Sequence, residues 1–173
     1  AERWLQLESV LEELRPRTLW NPLRPHDLVE ALLDLIEKAK QELVSPQAYA
    51  EWALARLETC NPDDEVLRAL LERHAECAAV AAALQERMRR SALLDHDDCI
   101  LLADAVLREH PAARAAICGA AEYVMVDEFQ DTNLAQARLV ETLTADRGNL
   151  LVVADDDQSI YKFRGASLAN LDR

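Results

Sequence analysis

Tyr123-Val124-Met125-Val126-Asp127-Glu128 and Asn149-Leu150-Leu151-Val152-Val153-Ala154-Asp155 are two compact apolar runs, and each stops abruptly on acidic residues. Their length and β-branched content fit buried strands. Between them, Asn133 to about Thr144 carries apolar residues at helical spacing. Strand, helix and strand of these lengths predict two parallel strands joined by a right-handed crossover, in a sheet covered on both faces. Both strands then end on the same edge, the carboxyl edge where open parallel sheets bind ligands. Asp127-Glu128 and Asp155-Asp156-Asp157 are expected to meet there.

Working outward, the chain upstream reads as helices. Trp4, Leu7, Leu11 and Leu14 fall three or four apart, and Pro16 ends the pattern. The prolines between Arg15 and Pro25 predict an irregular connector with Trp20 as its anchor into the core. Asp27, with Glu30 three residues on, is expected to cap a helix whose face carries Leu28, Leu32, Ile36, Ala39 and Leu43. Ser45-Pro46 pairs a capping oxygen with a proline suited to the first helical turn, and Asn61-Pro62 is expected to repeat the device. The helix that follows should present Leu67, Leu70, His74, Cys77, Ala81, Leu84 and Met88 on one face and run to about Arg90. His74 has no second ligand at i+4 and reads as a packed core histidine. Asp95 is expected to cap a helix facing Ile100, Ala103, Val106 and Leu107 inward, ending near His110-Pro111, with a short helical turn before the first strand. The fold class is therefore α/β and helix-rich, with residues 1–93 as a helical domain and 94–173 holding the sheet.

Of 173 residues, half are apolar and few are aromatic, a composition suited to helical packing with a real core. A formal charge of -13 excludes a surface that binds phosphate backbones by evenly spread basic residues. A local groove remains compatible with it, because stacking on aromatics adds affinity without charge. Cys60, Cys77, Cys99 and Cys118 form no C-x-x-C pair and read as buried, reduced thiols. No apolar run reaches membrane-spanning length, and Ala1-Glu2-Arg3-Trp4 lacks the layout of a signal peptide, so no membrane association and a cytoplasmic location are expected. An opening without Met, directly on a helical pattern, suggests a piece of a longer chain.

A strand that ends in Asp-Glu suits nucleotide hydrolysis. The first carboxylate, fixed at the strand tip, can hold Mg²⁺, and its neighbour can take a proton from the attacking water. Asp127 and Glu128 fit those roles; acids after a strand equally suit an exposed turn.

Longer strings separate the two readings. Val126-Asp127-Glu128-Phe129-Gln130-Asp131-Thr132-Asn133 resembles the Walker B motif of the UvrD/Rep/PcrA helicases, and Asp155-Asp156-Asp157-Gln158-Ser159-Ile160-Tyr161-Lys162-Phe163-Arg164-Gly165-Ala166 resembles their third motif. More loosely, Leu94-Asp95-His96-Asp97-Asp98 is similar to the place where the family's chain returns from a helical insertion, and residues 39–46 to a stretch within that insertion, called domain 1B. The resemblance implies a P-loop, RecA-like, parallel-sheet motor domain with an all-α insertion, ATP and Mg²⁺ as ligands, and single-stranded and partly duplex DNA as partners. It also implies 3′ to 5′ translocation and unwinding in DNA repair, replication or recombination. Residue by residue it makes Asp127 the Mg²⁺ partner, Glu128 the base and Gln158 the sensor of the γ-phosphate. Tyr161 and Phe163 match positions that meet bases, and Arg164 one that meets a phosphate or links the DNA and ATP sites. Ala154 stands where the family usually has glycine and His96 where it usually has an aromatic; neither removes a catalytic group.

A phosphate-cradling loop needs G-x-x-x-x-G-K-S/T, which Gly119, Gly148 and Gly165 cannot supply. The expectation is a part of a helicase that works only with the remaining motor domains and is inactive alone. A contrasting reading is a non-catalytic helical interaction module with degenerate motor motifs, against which intact Asp127, Glu128 and Gln158 speak. A two-metal nuclease built on Asp155 to Asp157 would lack a nearby lysine base.

Overall fold

The computed structural model describes residues 2–19 and 25–155. Trp20, Asp156, Asp157, Gln158, Tyr161, Phe163 and Arg164 lie outside them. The chain divides into two compact units, one of Ala1–Ala39 with Val44–Asp95 and one of Lys40–Leu43 with His96–Arg173.

The first unit contains α1 (Glu2–Leu14), α2 (Pro25–Gln41, whose last residues fall in the other unit), α3 (Pro46–Thr59) and α4 (Glu65–Arg90). Leu7, Val10 and Leu11 of α1, Leu19 of the turn after it, Val29, Leu32 and Ile36 of α2, and Val80, Ala81, Leu84 and Met88 of α4 form its core. Each helix contributes apolar residues three or four apart, which is why this face is buried. At 26 residues, α4 is about 39 Å long and spans the unit. Ser45 caps α3 as expected, its hydroxyl accepting the Ala48 N–H at 3.1 Å.

Three details differ from expectation. Asp27 lies inside the first turn of α2, because the helix already starts at Pro25. Asn61 does not cap α4; its side chain accepts the Asp63 N–H within a turn, and Asp64 caps the helix through the Leu67 N–H at 2.9 Å. The apolar face of α4 is rotated in its first half, where Leu71 is buried while Leu67 and Leu70 are exposed. His74 packs edge-on against Trp52 and Tyr49 of α3, with its Nδ1 paired to the Tyr49 hydroxyl.

Three helix ends of this unit are closed without glycine. Arg15, Leu43 and Ala92 all take left-handed conformations just past α1, α2 and α4. At Ala92 the turn is a complete Schellman motif, Leu93 N–H bonding to Met88 O at 2.9 Å and Ala92 N–H to Arg89 O at 3.2 Å. After α1 the backbone closes with the Arg15 N–H bond to Leu11 O alone, since Pro16 follows and has no N–H.

The second unit contains α5 (His96–Glu109), α6 (Pro111–Ala120), β1 (Val124–Val126), a 3-10 turn (Phe129–Asp131), α7 (Leu134–Thr144) and β2 (Leu150–Val152). Helix α6 is longer than the single turn expected. Helix α5 packs on α6 and α7 with Leu107 buried as read in the sequence, but Asp97 and Asp104 are buried with it while Ala103 and Val106 are exposed. Asp104 explains the rotation, because it accepts Thr142 Oγ1 at 2.7 Å and pairs with Arg108 at 3.0 Å and Arg138 at 3.2 Å, fixing α5 to α7 by charge.

Strands β1 and β2 pair in parallel with Val124 opposite Leu150 and Val126 opposite Val152. The predicted cover over both faces is not found among the described residues. Met125 is 75% exposed, and Leu150, Leu151, Val152 and Val153 are all exposed. Nor are the thiols buried: Cys99 is exposed and the other cysteines are half-buried, all of them free.

Candidate functional site

The parallel register brings the ends of β1 and β2 side by side, so Asp127-Glu128 and Asp155 share one edge. The backbone stays tied beyond the strands. Val153 N–H bonds to Val126 O, and Phe129 N–H bonds back to Val153 O, each at 2.9 Å.

Between these bonds the chain must turn sharply, and Glu128 takes the strain, with φ 53 and ψ 41 in the left-handed region. For a residue with a Cβ that costs about 1 kcal/mol. Neighbouring interactions offset it. Asp127 Oδ1 accepts the Glu128 N–H at 2.9 Å, Phe129 is buried as an apolar anchor, and Asn133 and Gln136 form a full capping box that starts α7 directly after the turn. The result is two exposed carboxylates held at a strand tip by buried neighbours on the C-terminal side.

Gln130 was not singled out by sequence reasoning. It is 1% exposed, its Nε2 donates to Glu128 Oε2, and its Oε1 accepts the Asp155 N–H at 2.8 Å. The only cue in the sequence is a polar residue placed between the acids and the capping asparagine. Asp131 Oδ1 is buried with no hydrogen-bond partner among the described residues.

Among the described residues no group of three or more His, Cys, Asp or Glu could hold a metal ion. Asp127 offers an exposed hard oxygen at a fixed strand tip, the type of donor that Mg²⁺ sites of one or two carboxylates use together with substrate phosphates and water. Gln158, Tyr161, Phe163 and Arg164 lie outside the described residues, as do Asp156 and Asp157 of the acidic run.

The family model of the UvrD/REP helicase N-terminal domain matches residues 5–173. The chain belongs to this helicase family. Among similar members, the ATP-dependent DNA helicase PcrA of Leuconostoc citreum is 36% identical over 140 residues, 81% of this chain and 17% of the relative. The ATP-dependent DNA helicase Rep of Escherichia coli (strain K12) is 33% identical over 145 residues, 84% of this chain and 21% of the relative. The ATP-dependent DNA helicase UvrD1 of Mycobacterium tuberculosis (strain ATCC 25618 / H37Rv) is 37% identical over 148 residues, 82% of this chain and 18% of the relative. Thus the chain spans about a fifth of the length of these curated UvrD/Rep relatives. Among the described residues no helix is long and apolar enough to cross a membrane.

Proposed function

We propose that this chain supplies the magnesium-binding and water-activating half of an ATPase site in a DNA helicase that translocates 3′ to 5′ along single-stranded DNA and separates duplexes. The observation that carries the reading is the pair Asp127-Glu128 at the carboxyl end of β1, beside the end of a parallel neighbour. Residues 94–173 then form part of a RecA-like motor domain and residues 1–93 the 1B-like helical insertion. The exposed apolar side chains of β1 and β2 support this, since parallel strands ordinarily lie within larger, covered sheets.

In this reading Asp127 holds Mg²⁺ through its exposed carboxylate. When bound, the ion would offset charge on the triphosphate oxygens. Glu128 orients the attacking water and accepts its proton. Gln158, three residues beyond Asp155, meets the γ-phosphate as a neutral amide, while Tyr161 and Phe163 stack on bases and Arg164 meets phosphate. The phosphate loop and the second motor domain come from other parts of the protein, so the chain alone is inactive.

DNA-stimulated ATP hydrolysis by the complete protein, compared with its Glu128→Gln variant, tests the reading. A loss of about 100- to 10,000-fold in the variant, down to a residual rate, is the expected result. Hydrolysis undiminished by the substitution would remove Glu128 as the base, and a complete protein that hydrolyses no ATP with DNA present would move the assignment to a non-catalytic interaction module.

A further inference from the structure

Building on the role of Glu128 as base, we infer that Gln130 is the positioning residue of this site, fixing which Glu128 oxygen is free for water and locking that carboxylate to the tip of β2. A side chain as buried as Gln130 must satisfy both ends of its amide. The Asp155 N–H can only donate, so the atom it meets is the Gln130 carbonyl oxygen, and the orientation of the amide follows from that bond. Its NH₂ group is thereby turned to Glu128. That group only donates, so one acceptor site of Glu128 Oε2 is engaged and Oε1 is the less encumbered oxygen of the carboxylate.

The same amide therefore reads two strand ends at once. It bridges the acid that follows β1 and the backbone that follows β2, around a turn already bracketed by the bonds between Val126, Val153 and Phe129. Without the bridge, Glu128 would keep its left-handed backbone, but its carboxylate would be free to rotate away from the water it serves. A small displacement of Asp155 would reach Glu128 through a single rigid group.

The test is a double-mutant cycle in the complete protein, reading steady-state ATP hydrolysis at saturating single-stranded DNA. Gln130→Met keeps length and apolar bulk but removes both hydrogen bonds; it is expected to lower kcat about 10- to 100-fold. KM for ATP is expected to stay within about twofold, because the substitution removes an interaction that serves the chemical step. In the Glu128→Gln background, Gln130→Met should add no further loss. Gln130→Glu, which keeps the acceptor for Asp155 but opposes Glu128 with a second carboxylate, should be as slow as Gln130→Met.

An unchanged kcat in the Gln130 variants, or losses that multiply in the double variant, overturns the inference while leaving the helicase reading intact. Hydrolysis undiminished in Glu128→Gln overturns the assignment of Glu128 as base instead. Hydrogen exchange of the Asp155 amide in the unsubstituted protein gives a readout independent of variant folding. Slow exchange is expected, and exchange at the rate of an open loop rules out the bridge.

Discussion

The Glu76 carboxylate grips Thr18 twice, accepting its hydroxyl and its backbone N–H, the latter at 2.8 Å. It also takes the Arg17 N–H at 2.8 Å and the Leu19 N–H at 3.2 Å, so one acid on α4 holds the turn after α1 and carries Leu19 into the core. Burial pushes the Glu76 carboxyl up, but the Thr18 hydroxyl and the backbone N–H groups outweigh it and hold the group below its ordinary 4.5. A lowered folded value means the contribution to stability is complete above 4.5 and is lost as pH falls through the lowered value. Glu76→Gln should therefore unfold more easily by about 1 kcal/mol at pH 7, a modest figure because the group is partly open to water. Urea unfolding at a series of pH values should show this deficit shrinking below 4.5; a deficit constant with pH would count against the charged latch.

Ala92 occupies the left-handed position of the Schellman motif after α4 with φ 52. Glycine has no penalty there, so Ala92→Gly should stabilise the chain by about 1 kcal/mol, against the usual direction for a glycine substitution. A denaturant midpoint at or below that of the unsubstituted chain would contradict the turn geometry.

Asp104 is the charged centre of the α5 and α7 contact. Asp104→Ala should cost about 2 kcal/mol, less than for a fully enclosed pair because Arg108 and Arg138 can turn toward water. Arg108→Ala should cost under about 1 kcal/mol, since Arg138 and Thr142 still satisfy the acid. Equal losses in the two variants would show that the acid depends on Arg108 alone.

Thiol reactivity should rank the cysteines by environment. Cys99 is exposed, whereas burial pushes the Cys77 thiol up despite the opposing charge of Arg73. A thiol-specific reagent near pH 8 should therefore modify Cys99 first and Cys77 much later. The order is read by mass spectrometry of partially labelled chain, and early labelling of Cys77 would refute it.

Strand, helix and strand were legible around residues 123–154 because the apolar runs change period sharply and end on acids. The buried face of α5 was not, because Asp104 is buried between Arg108 of its own helix and Arg138 of α7, and a hydrophobic pattern ignores such a clamp. Similarly, Asn61-Pro62 carries a sound start signal, but Asp64 offers a charged cap three residues later and displaces it. At the site, the pairing of acid tips followed from parallel topology. The role of Gln130 did not, since its two partners lie in different segments, and the left-handed turn at Glu128 has no marker when glycine is absent.

A ribbon of two three-residue strands with water on its apolar sides has little to resist opening. In the chain alone its amide protons should be among the first in the second unit to be lost to solvent, well before those of α7. Firmness at the acid tips would then be conferred from outside, and whatever shelters Met125 and Leu151 would also tune how steadily Glu128 is aimed.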